Sequence, residues 1–147
     1  MALEVMYEGS AIPGIKNVNA TDLQTSTIEP GKVCVLKTSN CTLPKVGEVF
    51  FGTGSLVNTT DAPFGLCADF KQDVIASGKV SVYNTPGMYK TDQVNGSPAK
   101  GDILSFDGNG KLQTAAASSN KFIVGICTEA KDSSGMIEFF LNIGALA

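Results

Sequence analysis

The chain has 147 residues, a formal net charge of -3 and an apolar fraction of 43%, enough to build a core in one domain or one domain plus an arm. Histidine and tryptophan are absent and all eleven basic residues are lysine, so the commonest general base and the bidentate clamp for phosphate are both missing. The acidic balance gives no electrostatic footprint for nucleic acid, and no apolar run reaches the ~18 residues of a membrane-spanning helix. The start of the chain lacks the basic region of a signal peptide, so the expectation is a protein made in a cytoplasm and independent of membranes.

Residues 1–30 are polar, with scattered apolar anchors at Val5, Met6, Tyr7, Ile12 and Ile15 and no sustained period. They read as a first strand and loop, or as an extended arm that orders on a partner. From residue 31 onward, Gly, Pro, Asn, Ser and Thr punctuate the chain every eight to twelve residues, the spacing of many short strands. Strands are predicted over Lys32–Thr38, Glu48–Gly52, Gly78–Tyr83, Asp102–Phe106, Phe122–Glu129 and Gly135–Ile143, all rich in β-branched and aromatic residues. One short helix or turn is predicted at Ala68–Ser77, where Phe70, Val74 and Ile75 fall at helical spacing.

The elements recur in order. Residues 31–77 and 78–134 each run Gly-Lys-Val-x-Val, then Pro-x-x-Gly-acid, then Gly-x-Gly, then Gly-apolar-Cys-x-acid, and a closing strand spans 135–143. The expected fold is therefore all-β: a small β-barrel or β-sandwich built from two similar β units in 31–147, with an N-terminal extended arm. Cys67 and Cys127 occupy matching positions, which favours a shared packing role over two reactive thiols.

Motifs for chemistry are weak. The Asp107–Gly110 stretch resembles the start of a calcium loop, but Lys111 falls at position 5, where a ligand is needed, and Ser118 at position 12, where the closing glutamate belongs. Asp-Gly-Asn-Gly between two apolar segments is a hairpin turn instead, and Gly52 and Gly54 read as the matching turn of the first unit. The four cysteines (34, 41, 67 and 127) fit no common zinc spacing. A cysteine nucleophile has no histidine partner, and the carboxylate pairs Asp69/Asp73 and Asp102/Asp107 carry no mark of burial. No catalytic residue, metal or cofactor is expected.

From about Val46 onward the chain resembles the small phage head-decoration, or capsid cement, proteins. The likeness rests on "VGEVFFG", "KGDILSFDGNGKLQTA" and "NKFIVGICTEAKDSSGMIEFFL". The resemblance implies a non-enzymatic structural protein of the virion, on the outer capsid surface, often trimeric, bridging major capsid protein subunits. Capsid contacts are then expected from the anchors Val5, Met6, Tyr7, Ile12 and Ile15, or from loops around 53–63 and 84–98. The alternatives are a phage tail or baseplate β component and a ligand- or carbohydrate-binding β module, for which only Tyr7, Tyr83 and Tyr89 could serve in sugar stacking.

Overall fold

The computed structural model describes residues 3–5, 14–18, 28–36, 48–51, 54, 56–116 and 122–145. In chain order its elements are β1 (Leu3–Val5), β2 (Gly14–Val18), β3 (Val33–Leu36), β4 (Glu48–Val49), β5 (Ala62–Cys67), α1 (Lys71–Ser77), β6 (Lys79–Tyr83), β7 (Gly87–Thr91), β8 (Ile103–Phe106), β9 (Leu112–Thr114), β10 (Phe122–Glu129) and β11 (Ile137–Ala145). They form a six-stranded sheet in the order β1-β7-β11-β10-β8-β9 and a five-stranded sheet in the order β3-β5-β6-β2-β4. Strand pairing is antiparallel throughout, except between β2 and β4.

The fold is all-β, as the punctuation of the chain demands, but it is not a closed barrel. One bridge brings Phe50, just past β4, back to Val35 of β3, with both amide bonds made at 3.0 and 2.9 Å. No continuous ladder joins those two ends among the described residues.

Two apolar clusters form the core, and the larger one holds the two sheets together. The larger draws Tyr89, Leu104, Phe106, Val124, Phe139 and Leu141 from the six-stranded sheet and Val33, Val35 and Leu66 from the other. Tyr89, Phe106 and Phe139 are fully buried, each worth on the order of 2–3 kcal/mol from area alone. Tyr89 stacks on Phe139 at 6.0 Å, and its hydroxyl donates to the Thr85 carbonyl at 2.9 Å. The smaller cluster joins Cys34, Val49, Cys67, Val80 and Val82 to Val74 of α1. Strand β3 is thus buried on both faces, which is why "KVCVL" reads as nearly continuous apolar sequence.

Helix α1 forms where a helix or turn was predicted, but of the three expected apolar anchors only Val74 is buried. Phe70 is the N-cap, in extended backbone before the first turn, and Ile75 follows Val74 by about 100° around the helix, so both stay exposed. Gly78, at φ 69°, ends the helix by donating its amide to the Val74 carbonyl. Two expectations about loops change. Residues 84–98 contain β7, with Tyr89 completely buried, and β5 starts inside the 53–63 stretch. Alternation in "GMYKT" is the period-2 signal of β7; flanking Pro86 and Gly87 make it look like a loop.

A hydrogen-bond pattern recurs between β3-β5-β6 and β8-β10-β11. The Gly31 amide donates to the Cys67 carbonyl and the Cys67 amide to the Lys32 carbonyl, both at 2.8 Å. Gly101, Cys127 and Asp102 repeat this at 2.8 and 2.9 Å. Gly31 and Gly101 share the left-handed region, at φ 91° and 94°. Cys67 pairs with Val82 and Cys127 with Phe139. In this correspondence Gly31 matches Gly101, whereas the order of sequence motifs places Gly31 beside Gly78.

Candidate interaction surface

The expected hairpin forms. Asp107 Oδ1 accepts the amides of Asn109 and Lys111, both at 2.9 Å, and the Gly110 amide donates to the Asp107 carbonyl at 3.0 Å. Gly110 takes φ 78°, which only glycine adopts cheaply. One carboxylate oxygen of Asp107 is therefore holding the turn. Residues Asp132–Met136 build the same turn: Asp132 Oδ1 accepts the amides of Ser134 and Met136, and Gly135 sits at φ 80°. Asp-x-[Asn/Ser]-Gly marks both turns in the sequence, and Gly-x-Gly alone does not mark the second. The Ser134 hydroxyl at 2.6 Å, with the Met136 amide, holds the Asp132 carboxyl below its ordinary value.

The tip of the Asp107 hairpin does not stand free. The Gly108 carbonyl accepts the amides of Gly54 and Leu56 at 3.1 and 3.2 Å, and the Gly110 carbonyl accepts the Val33 amide at 2.8 Å. A side chain on Gly108 would meet the Gly54 backbone at 2.6 Å. The tip thus docks through Gly108 on Gly54 and Leu56 and through Gly110 on Val33 of β3; β4 and β5, on either side of Gly54, are not sheet neighbours, so Gly54 does not turn a hairpin as expected, and Gly52 lies outside the described residues. Of the predicted capsid anchors, Val5 lies in β1 opposite Tyr89 and Ile15 in β2 opposite Ser81, while Met6, Tyr7 and Ile12 lie outside the described residues.

The three described thiols are buried in the packing. Burial pushes the Cys34 thiol up, with Cys67 nearby adding to the effect, and pushes the Cys67 thiol up to about 12. Cys127 is raised by burial and by Asp102. Cys67 and Cys127 each donate Sγ–H to the carbonyl two residues on, Asp69 and Glu129, at 3.2 and 3.3 Å. Burial lowers the Lys32 ammonium below its ordinary value, partly offset by Glu29. Asp69 accepts the Ser81 amide, and Asp102 accepts the Ala99 amide and the Thr114 hydroxyl. Among the described residues no group of three or more His, Cys, Asp or Glu is placed to hold a metal.

What the fold does present is one face. In the six-stranded sheet Ile103 lies opposite Ile126, Ile126 opposite Phe140, and Phe140 opposite Met88. Directly opposed residues share a face, so these four form one row across β8, β10, β11 and β7. They point away from the core, because their neighbours Cys127, Phe139, Leu141 and Tyr89 point into it. Ile103, Ile126 and Phe140 remain 42, 45 and 37% exposed. A charged row runs beside them: Glu4 opposite Lys90, Lys90 opposite Glu138, and Glu138 opposite Glu129. Lys100 reaches Glu129 at 3.1 Å, and Lys90 lies 3.9 Å from Asp132. Three adjacent exposed side chains of this size form a patch, where scattered ones would not. Composition does not reveal it, since apolar alternation is present on both faces of β8, β10 and β11.

No family model and no curated protein matches the chain. Among solved structures, the chain is similar to the N base of the head fiber gp8.5 of bacteriophage phi29, with a TM-score of 0.50. The match covers 93% of this chain and 98% of that chain at 10% sequence identity. At that identity the likeness concerns the fold alone: the all-β arrangement is one that a phage head protein also uses.

Proposed function

We propose that this chain is a structural protein of a phage head, a decoration protein that sits on the outer capsid surface as a homotrimer and stabilises the major capsid lattice without enzymatic activity. The observation that carries the reading is the fold likeness to a phage head fiber base over nearly the whole of both chains. The motifs shared with cement proteins point the same way. So does the commitment of the buried thiols and carboxylates to packing and turns.

The lattice supplies the energetics. Many weak contacts held on one shell gain from avidity, so each site needs only modest affinity. Val5, on the edge strand β1, would add main-chain pairing to a capsid subunit, with Met6, Tyr7, Ile12 and Ile15 as apolar contacts. Deleting residues 1–30 is a poor test of those anchors, because it removes β2 from between β6 and β4. Point substitutions serve better.

The deciding experiment is sedimentation of purified protein with heads that lack it. Co-sedimentation at a fixed stoichiometry, with heads that then resist heat better, is the expected result. Protein that stays in the supernatant at all concentrations refutes the reading.

A further inference from the structure

The chain contains two Asn-Gly steps, Asn95–Gly96 and Asn109–Gly110, and both glycines sit in the left-handed region at φ 78°. At such a step the amide nitrogen of the second residue can attack the asparagine side chain, because glycine puts no Cβ in the way. Local sequence treats the two sites alike. The fold does not.

Asn109 lies in the docked hairpin tip. The Gly110 amide, which would be the nucleophile, donates to the Asp107 carbonyl at 3.0 Å, and the Asn109 amide donates to Asp107 Oδ1 at 2.9 Å. Gly110 is buried, and its carbonyl accepts the Val33 amide at 2.8 Å. A Cβ on Gly110 would meet the Val33 carbonyl oxygen at 2.7 Å, so the backbone has little room to turn. Ring closure at Asn109 therefore requires the tip to open first.

Asn95 is anchored on one side only. Its own amide donates to the Leu112 carbonyl at 2.7 Å, but the Gly96 amide has no hydrogen-bond partner among the described residues. Both residues are exposed, and nothing lies within 4 Å of a Cβ built on Gly96. The Asn95 side-chain amide reaches Gln113 Oε1 at 3.4 Å, beyond the usual range of a firm N–H···O bond. The attacking nitrogen and the carbon it would attack are thus adjacent, weakly held and open to solvent.

We infer that Asn95 is a site of spontaneous covalent modification, deamidation through Gly96, and that the fold protects Asn109 from the same reaction. The Gly96 amide gives its proton to a solvent base, and its nitrogen bonds to Asn95 Cγ. The Cγ–Nδ2 bond breaks, and ammonia leaves after taking a proton from water. Water then opens the resulting five-membered succinimide at either carbonyl carbon, leaving aspartate or isoaspartate. The net change is amide plus water to carboxylate plus ammonium, with no oxidant, reductant or cofactor. Each event adds one negative charge to a chain whose net charge is -3. None of this depends on the head-protein reading.

The test ages the purified full chain in warm, mildly alkaline buffer, native and in urea that unfolds it. Peptide mapping by mass spectrometry reads conversion at each asparagine, isoelectric focusing reads the charge, and thermal melting reads folding. In the native chain Asn95 is expected to convert faster as pH rises, with Asn109 at least about tenfold slower. In urea the two rates should converge. Asn95→Gln should abolish the early acidic shift, and Asp107→Ala, which loosens the tip, should speed Asn109 while leaving Asn95 unchanged. Equal native rates at the two sites overturn the inference, as does an Asn95 that reacts only in urea. A ratio that persists in urea assigns the difference to flanking residues, and an Asn109 indifferent to Asp107→Ala removes the turn as its protection; either result refutes protection by the fold.

Discussion

Gly125→Ala tests the packing that holds β10 against β11, the most extensive strand pairing in the molecule. A Cβ built at Gly125 falls on the Phe140 carbonyl oxygen, and it lies 3.3 Å from the Leu141 Cα. Both obstacles are backbone, so no side-chain rotation relieves them. Relief requires spreading the two strands at the pair Gly125–Leu141, in the middle of the ladder. Overpacking of this kind costs about 1–3 kcal/mol, and the upper end applies where backbone must move. For a chain of this size each kcal/mol lowers Tm by about 2–4 °C, so a loss on the order of 6–12 °C is expected. Two other glycines separate the mechanism from a generic glycine effect. Gly135→Ala meets nothing within 4 Å but sits at φ 80°, so it costs only the left-handed penalty of about 1–2 kcal/mol. Gly144→Ala has ordinary contact with Ile123 at 3.8 Å and no positive φ, so it is neutral or slightly stabilising. Calorimetry or urea unfolding of the three variants gives the ranking. If Gly125→Ala costs no more than Gly144→Ala, the close approach of β10 and β11 is wrong.

Asp107→Ala removes two amide acceptors from the hairpin and is expected to cost about 1–2 kcal/mol by urea unfolding, while Asp107→Asn, which keeps an acceptor, stays close to wild type. Millimolar calcium should leave the melting temperature unchanged in all three proteins, because Lys111 occupies a would-be ligand position and, among the described residues, no group of three or more His, Cys, Asp or Glu is placed to complete a site; a calcium-dependent rise confined to chains with Asp107 would overturn this. The Asp132 carboxyl is held below its ordinary value, so its contribution to stability is full above the ordinary carboxylate range and fades as pH falls through the lowered value. Wild type and Asp132→Asn should therefore converge in stability toward acid pH, and parallel curves would refute the role. In a Cys41→Ser background the three buried thiols should ignore a thiol reagent at pH 8 until the protein unfolds, since the thiolate is the reacting form and burial opposes it. Rapid labelling of the native protein would show that one of them is accessible.

Much of the strand inventory is legible in residue order, and the gaps have causes. Strands β3, β6, β8, β10 and β11 are rich in β-branched and aromatic residues, and the structure places each within or close to its predicted range. β5 and β7 are harder to see, because each carries a Gly or Pro that looks like a break. In β5, Gly65 is required instead: a side chain there would meet the Tyr83 carbonyl at 2.6 Å. The Asp107 turn is readable as a turn from its Asp-Gly-Asn-Gly, but that it docks on Gly54 and Val33 is not, since those contacts cross more than fifty residues.

Residue order alone points to a β protein without histidine or arginine, to Asp107 as the shaper of a turn, and to parallel structural parts for Cys67 and Cys127. These follow from local causes: side-chain branching, the left-handed freedom of glycine, and the missing histidine. Register between strands distant in sequence decides the rest. Only the pairing of Ile103 with Ile126, Ile126 with Phe140 and Phe140 with Met88 gathers one residue from each of four strands into a single outward row. A slip of one residue in any ladder would turn that strand's side chain into the core and break the row. No local propensity encodes that choice; the burial of Tyr89, Cys127 and Phe139 on the opposite face makes it.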